Sequence, residues 1–310
     1  MKIVFMGTPA AAALSLERLL ETGHEIVGVY TQPDRPSGRG NKIVFSAVKD
    51  LALKRDLRLF QPAKIKTPDA LAEFRSLSAD VAAVVAYGRI LPEGFLDAFQ
   101  NGAVNVHFSL LPKYRGAAPV NWAIVNGETT TGVTTIRMNT GLDTGDILLS
   151  REIEIGADET APQLMDRLAV IGGDVLVETL DKIDTIDPVP QAHEEATFAP
   201  IMKREDGLID WSMKSAEIAA RVRGFQPFPG SFTFHEGKRL NIWSARAVGA
   251  GDKDRTGPGA IGSIDDGRLL VEAGSGTTLL IDEIQLEGKK RMAVREALNS
   301  GHFKIGQRFT

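Results

Sequence analysis

The chain has no cysteine. Disulfides, thiolate metal sites, iron–sulfur clusters and a cysteine nucleophile are therefore excluded. Histidine is scarce: five in 310 residues, with no HxxxH or HExxH spacing, so no metal centre is expected. No apolar run reaches the ~18 residues of a membrane helix. Lys2 to Gly7 reads as a strand entering a turn, not as a charged start followed by an apolar signal core. A cytoplasmic protein with no membrane partner is the expectation. The opening strand–turn–helix unit also lacks G-x-G-x-x-G. Only Gly7 stands in its turn, which removes the close cradle a dinucleotide pyrophosphate needs. A large excess of either charge is missing as well. The net is −4, with residues 1–205 carrying 21 Lys+Arg against 27 Asp+Glu and residues 206–310 carrying 15 against 13. A globally basic surface is excluded, and any polyanion must meet local patches.

What is present is an alternation of strands and helices followed by a change of texture. Strands are predicted at residues 2–6, 25–30, 57–60, 80–87, 132–138 and 147–155, with helices at 10–21, 46–54, 68–76, 93–99, 119–126 and 162–180. Asp80 to Tyr87 is nearly continuous in apolar residues, as a central strand covered on both faces requires. Between Thr31 and Lys42 lies a loop with two prolines, two glycines and the bases Arg35, Arg39 and Lys42. Loops this long inside compact domains are often functional. Asp184 to Thr197 is rich in proline and charge and reads as a linker. Beyond it, short alternating strands separated by glycine turns indicate a small β-barrel. The expected architecture is an α/β Rossmann-like domain with a predominantly parallel sheet over 1–186, a linker over 187–205, and an OB-like β-barrel over 206–310.

The chemistry concentrates in Val104-Asn105-Val106-His107-Phe108-Ser109-Leu110-Leu111-Pro112. In an extended chain Asn105, His107 and Ser109 share one face. A buried strand gains nothing from an amide, an imidazole and a hydroxyl side by side, because each needs a partner once desolvated. This strand and its neighbour both end in loops, Tyr87 to Pro92 and Ser109 to Gly116, and open α/β sheets bind ligands at the carboxyl ends of such strands. A carboxylate from the turn Gly141-Leu-Asp-Thr-Gly-Asp146 would orient His107 and raise its pKa. Spacing does not choose between Asp143 and Asp146. Asn105 would give a neutral N–H to a developing oxyanion. The set lacks its own nucleophile and suits acyl transfer to an acceptor that brings an amine. Ser109 has no G-x-S-x-G elbow, which disfavours a hydrolase.

Asn105-Val-His107, Ser109-Leu-Leu-Pro112-Lys-Tyr-Arg-Gly-Ala-Ala-Pro119 and Gly141-Leu-Asp143-Thr-Gly-Asp146 resemble the formyltransferase family that uses 10-formyltetrahydrofolate. The resemblance implies that Asn105, His107 and Asp143 form the catalytic triad. Asn105 and a protonated His107 would stabilise the oxyanion, and Asp143 would hold His107 and help relay a proton. It implies that Ser109, Leu110, Leu111 and Pro112 line the folate site, with Tyr87, Gly88 and Ile90 bordering the pterin. Four more segments are similar to the family members that act on initiator methionyl-tRNA: Phe5 to Pro9, Gln32 to Gly40, Lys203 to Trp211, and Arg223 to Gly230. They imply that the acceptor end of the tRNA meets Arg39, together with Arg35 and Lys42. They imply further that the second domain binds tRNA and that no metal is needed. A monomer is the expectation.

Overall fold

A computed structural model describes residues 1–37, 42–249 and 257–310. The chain divides into two compact units, one formed by Met1–Pro119, Thr131–Ile153 and Met165–Ala199, the other by Val120–Thr130, Glu154–Leu164 and Pro200–Thr310.

The first unit carries β1 (Lys2–Gly7), β2 (Glu25–Tyr30), β3 (Arg35–Ser37), β4 (Lys42–Val44), β5 (Leu59–Phe60), β6 (Val81–Val85), β7 (Ala103–His107) and β8 (Arg115–Gly116). The strands β9 (Thr130–Arg137) and β10 (Asp146–Glu154) complete its main sheet, in the order β10-β9-β7-β6-β1-β2-β5. From β5 to β7 the pairings are parallel, and β9 runs antiparallel to β7. The chain builds outward from β1 through β2 to β5, then crosses back to β6 and builds the other way. The order therefore reverses between β1 and β6, where the carboxyl ends of the strands open a crevice. Ile3 to Met6 and Val81 to Val85 are buried throughout, because helices cover both faces.

The helices are α1 (Ala10–Leu20), α2 (Ala47–Lys54), α3 (Pro68–Ser76), α4 (Glu93–Leu96), α5 (Pro119–Val125) and α6 (Ala161–Asp181). The starts of α2 and α3 are set locally. The hydroxyls of Ser46 and Thr67 accept from the N–H groups of Lys49 and Ala70, and Pro68 occupies a first-turn position where no donor is needed. One sheet face packs Val4, Met6 and Val84 with Phe74 of α3 and Phe95 of α4, and Phe74 lies 4.5 Å from Phe95 between ring centroids. The opposite face meets α6, where Gly172 admits Val106 and Phe108 to close contact. β7 is thereby oriented: Val106 looks toward α6, while Asn105, paired in register with Val84, belongs to the other face.

Three sequence expectations shift here. The stretch 31–42 is not simply a loop, since β3 and β4 pair as an antiparallel hairpin stem. The predicted helix over 93–99 ends at Leu96. The stretch 187–205, expected as a linker, is in its first part built into the first unit. Val189 bridges to Ile147, and β11 (Phe198–Ala199) pairs with β8.

The second unit holds α7 (Ser215–Gly224), β12 (Ser231–His235), β13 (Lys238–Val248), β14 (Ile261–Asp265), β15 (Arg268–Glu272), β16 (Thr278–Leu286), β17 (Met292–Ala293) and α8 (Val294–Asn299). Its sheet follows β12-β13-β16-β15-β14, antiparallel throughout, with β17 on β16. The two outer strands are joined by the C-terminal segment. Thr310 and Phe234 exchange both backbone hydrogen bonds, at 3.0 and 2.9 Å, while Phe309 donates to Gly259 and Ile261 to Gln307. The sheet thus closes into a barrel and, among the described residues, leaves no long free edge. Trp211, Ile218, Leu240, Ile281 and Phe309 fill its core. Residues 120–130 also belong to this unit: Trp122 stands edge-on to Phe225 at 5.8 Å, and Asn121 donates to the Gly224 carbonyl.

Candidate active site

β7 ends at His107, and the chain bends away. Asn105 is half-buried and His107 is 5% exposed. Ser109 does not continue the strand face, contrary to the alternation read from the sequence. Its hydroxyl donates to the Lys113 carbonyl at 2.7 Å, and its own carbonyl accepts from the Thr134 hydroxyl at 2.7 Å. The same Thr134 oxygen accepts from the Leu111 N–H. These bonds fold Ser109 to Lys113 into a turn with a cis Leu111–Pro112 bond, and they occupy the Ser109 hydroxyl.

His107 is held from two sides. Nε2 lies 2.9 Å from the carbonyl oxygen of Tyr114, and Nδ1 lies 3.7 Å from Oδ2 of Asp143. A carbonyl only accepts, so Nε2 carries the hydrogen and Nδ1 is left as the exchangeable position. Burial pushes the imidazole below its ordinary value of 6.5, and the Asp143 carboxylate and the Tyr114 carbonyl only partly pull it back. The neutral ring is therefore favoured near pH 7. Asp143 raises the pKa, as expected of a carboxylate, but the net shift is downward because burial opposes it. Desolvation outweighs one carboxylate that stands beyond hydrogen-bond length.

Asp143 reaches His107 from the turn before β10, and Asp146 is exposed at the start of that strand. Of the two carboxylates, only Asp143 stands against the ring. Its backbone is left-handed, φ +50°, a conformation that costs a non-glycine residue about 1–3 kcal/mol and needs external support. The support is specific. Oδ2 accepts from the Gly116 N–H at 2.8 Å, and the Asp143 carbonyl accepts from the Gln191 amide at 2.9 Å. Gly116 must be glycine: its φ is +126°, and a Cβ there would lie 2.6 Å from the Ala199 carbonyl oxygen.

The other expected site residues distribute as follows. Leu111 is buried, Leu110 and Pro112 are half-buried. The Tyr87 ring is core, 2% exposed, and its carbonyl accepts from Thr8 and from Gln32. Tyr87 thus anchors its loop, and Gly88 and Ile90 are the exposed members. Beside them a cavity of about 460 Å³ is lined by Lys64, Ile65, Lys66, Arg89 and Ile90. Arg35 is exposed at the hairpin stem, Lys42 contributes backbone to β4, and Arg39 lies outside the described residues. Among the described residues no cluster of His, Asp and Glu could hold a metal ion, and no helix is long and apolar enough to cross a membrane. Sequence reasoning missed the roles of Tyr114, Arg115, Gly116 and Gln191, because they run through backbone groups, one buried guanidinium and an isolated amide that carry no periodic signal.

Two family matches cover the chain: Formyl transferase over residues 1–180, and Formyl transferase, C-terminal domain, over residues 201–302. A methionyl-tRNA formyltransferase of Geobacter sulfurreducens is 45% identical over 311 residues, which is 99% of this chain and 96% of that one. Another, from Alkaliphilus oremlandii, is 47% identical over 300 residues, 96% of each. Among solved structures, a methionyl-tRNA formyltransferase from Clostridium thermocellum superimposes with a TM-score of 0.57 at 18% identity, covering 92% of this chain and 98% of that one.

Proposed function

This chain belongs to the formyl transferase family, and from that membership we propose that it transfers the formyl group of 10-formyltetrahydrofolate to the α-amine of methionyl-initiator tRNA. It works in the cytoplasm, as a monomer. The acceptor follows from near-full-length relatives that carry that activity in their names. The chemistry rests on one observation: a buried imidazole with a single exchangeable nitrogen, 3.7 Å from a carboxylate, with Asn105 two residues before it on the same strand.

Asn105, His107 and Asp143 are the catalytic residues. The Asn105 amide donates to the formyl oxygen as negative charge develops there, in a site where such a donor is worth roughly 10²- to 10³-fold in rate. His107 Nδ1 takes the proton that the attacking amine must lose. The imidazolium so formed is stabilised by Asp143 on one side and the Tyr114 carbonyl on the other. The same Nδ1 then returns the proton to N10 of the leaving folate, so the nitrogen departs neutral. Ser109 to Pro112, with Gly88 and Ile90, border the folate, and Tyr87 holds that border in place. Lys64, Lys66 and Arg89 suit the carboxylates of the folate tail. Arg35, Arg39 and Lys42 suit the phosphates of the tRNA.

The test is incubation with 10-formyltetrahydrofolate and methionyl-tRNA, with N-formylmethionine measured after deacylation. Wild type forms it and His107→Ala does not. Absence of transfer by the wild type overturns the function, and an active His107→Ala overturns the site.

A further inference from the structure

Two residues of the run Tyr114-Arg115-Gly116 hold the two catalytic partners. The Tyr114 carbonyl accepts from His107, and the Gly116 N–H donates to the Asp143 carboxylate. The residue between them, Arg115, is a buried cation, 5% exposed, that contacts neither. Its guanidinium donates twice, from Nε at 3.1 Å and Nη2 at 2.6 Å, to one oxygen of Gln191. That amide is itself 6% exposed. Its nitrogen donates to the Asp143 carbonyl at 2.9 Å and to the Gly145 carbonyl at 2.6 Å. Every polar position of Gln191 is thus filled, and the guanidinium fixes which end of the amide is which. A flipped amide would set N–H against N–H and oxygen against two carbonyls. The two bonds pin the chain directly after the left-handed Asp143 backbone, at its own carbonyl and two residues on.

We propose that Gln191, locked by Arg115, is a positioning residue for formyl transfer: it holds the Asp143 turn so that the carboxylate stands against His107. This rests on the reading of Asp143 and His107 as catalytic partners. Arg115 acts one step further out. It gives the Gln191 oxygen a partner within the fold and so commits both N–H groups to the turn. A displacement of Asp143 by a fraction of its 3.7 Å separation changes what His107 feels on protonation, while the folate border and the tRNA-facing hairpin stay as they are. Loss of positioning therefore belongs in kcat, not in the KM of either substrate.

The decisive variant is Gln191→Glu. It keeps the shape and the Arg115 partner but replaces both N–H donors by an oxygen facing two carbonyls. Formyl-transfer kinetics are measured on the purified full chain for Gln191→Glu, Asp143→Asn and the double variant, alongside NMR titration of His107. The expectation for Gln191→Glu is a kcat lower by roughly 10- to 100-fold, with both KM values within about twofold of wild type and a shifted His107 titration. The double variant is expected to be no slower than Asp143→Asn alone, because Gln191 acts through Asp143. An unchanged kcat and titration in Gln191→Glu overturns the proposal. So does a double variant slower than Asp143→Asn by the full Gln191→Glu factor, which would show Gln191 acting elsewhere. If Asp143→Asn itself retains wild-type kcat, the catalytic reading of Asp143 fails first, and the positioning role falls with it. Should Gln191→Glu fail to fold, Arg115→Lys tests the same chain of contacts. It keeps the charge but loses the double donation, and it is expected to show the same kcat-only loss, with an unchanged kcat counting against the proposal.

Discussion

His107 and Asp143 face each other at 3.7 Å between Nδ1 and Oδ2, inside ion-pairing range and outside hydrogen-bond length. At that separation the carboxylate favours the imidazolium without fixing it. The ring, pushed by burial toward neutrality, is left able to take up and release a proton.

The pH profile should carry this signature. The imidazole sits below its ordinary 6.5, and in the proposed reaction its neutral form takes the amine proton, so kcat is expected to stay on its plateau through pH 7 and to fall only on the acid side of 6.5. Asp143 pulls the pKa up. Asp143→Asn should therefore lower it further, displacing the acid limb to still lower pH while cutting kcat by roughly 10²- to 10⁴-fold. A rate profile with an NMR titration of His107 checks both; an acid limb displaced upward in Asp143→Asn would refute the assignment.

Stability should follow the same group. The folded-state pKa is depressed, so the unfolded chain binds the extra proton first. The contribution of His107 is fully present above its unfolded value near 6.5 and is lost as pH falls through the folded value. Urea unfolding between pH 7.5 and 5 should show less loss toward acid in His107→Gln than in wild type. Parallel slopes would contradict the burial argument.

Asn105→Ala should separate catalysis from folding. The residue is half-buried, and among the described residues none hydrogen-bonds its side chain. Truncation is expected to cost roughly 10²- to 10³-fold in single-turnover rate and less than about 1 kcal/mol in unfolding free energy, since no buried partner is orphaned.

Gly116→Ala should do both kinds of damage. The new Cβ meets the Ala199 carbonyl at 2.6 Å, and φ is +126°. The backbone must shift or strain at a cost of about 1–3 kcal/mol, and a shift withdraws the N–H from Asp143. Urea titration and kcat measured together are expected to show loss in both; a variant that is destabilised yet fully active would detach Gly116 from the chemistry.

Much of the fold was readable because it rests on periodic burial. β1, β2 and β6 are runs of Ile, Val, Phe and Ala that only a covered sheet accommodates, and α3 carries its own Thr-Pro start. The barrel strands fall at the predicted alternations, but the C-terminal segment that closes them has no alternation to read, and its pairing is pure backbone. Asn105 and His107 share a face as period two requires, whereas Ser109 leaves it because a distant Thr134 side chain captures the turn. The net direction of the His107 shift was not legible for a related reason. Sequence names a carboxylate partner but not the burial that opposes it. Gln191 was illegible altogether: a lone amide in a Pro-rich stretch acquires its role only through contacts to residues 115, 143 and 145.

The Tyr114 carbonyl, by committing Nε2 as a donor, leaves the protein one seat for a travelling proton. A carrier with one seat has no preferred direction of traffic. Whatever nitrogen gives up its proton there, the other can receive it, and the roles exchange if the formyl group moves back. The site therefore speeds approach to an equilibrium whose position belongs to the two nitrogens competing for the formyl group. Net formylation is set by which of those nitrogens holds the formyl group better and by whatever removes the product, not by any asymmetry built into His107.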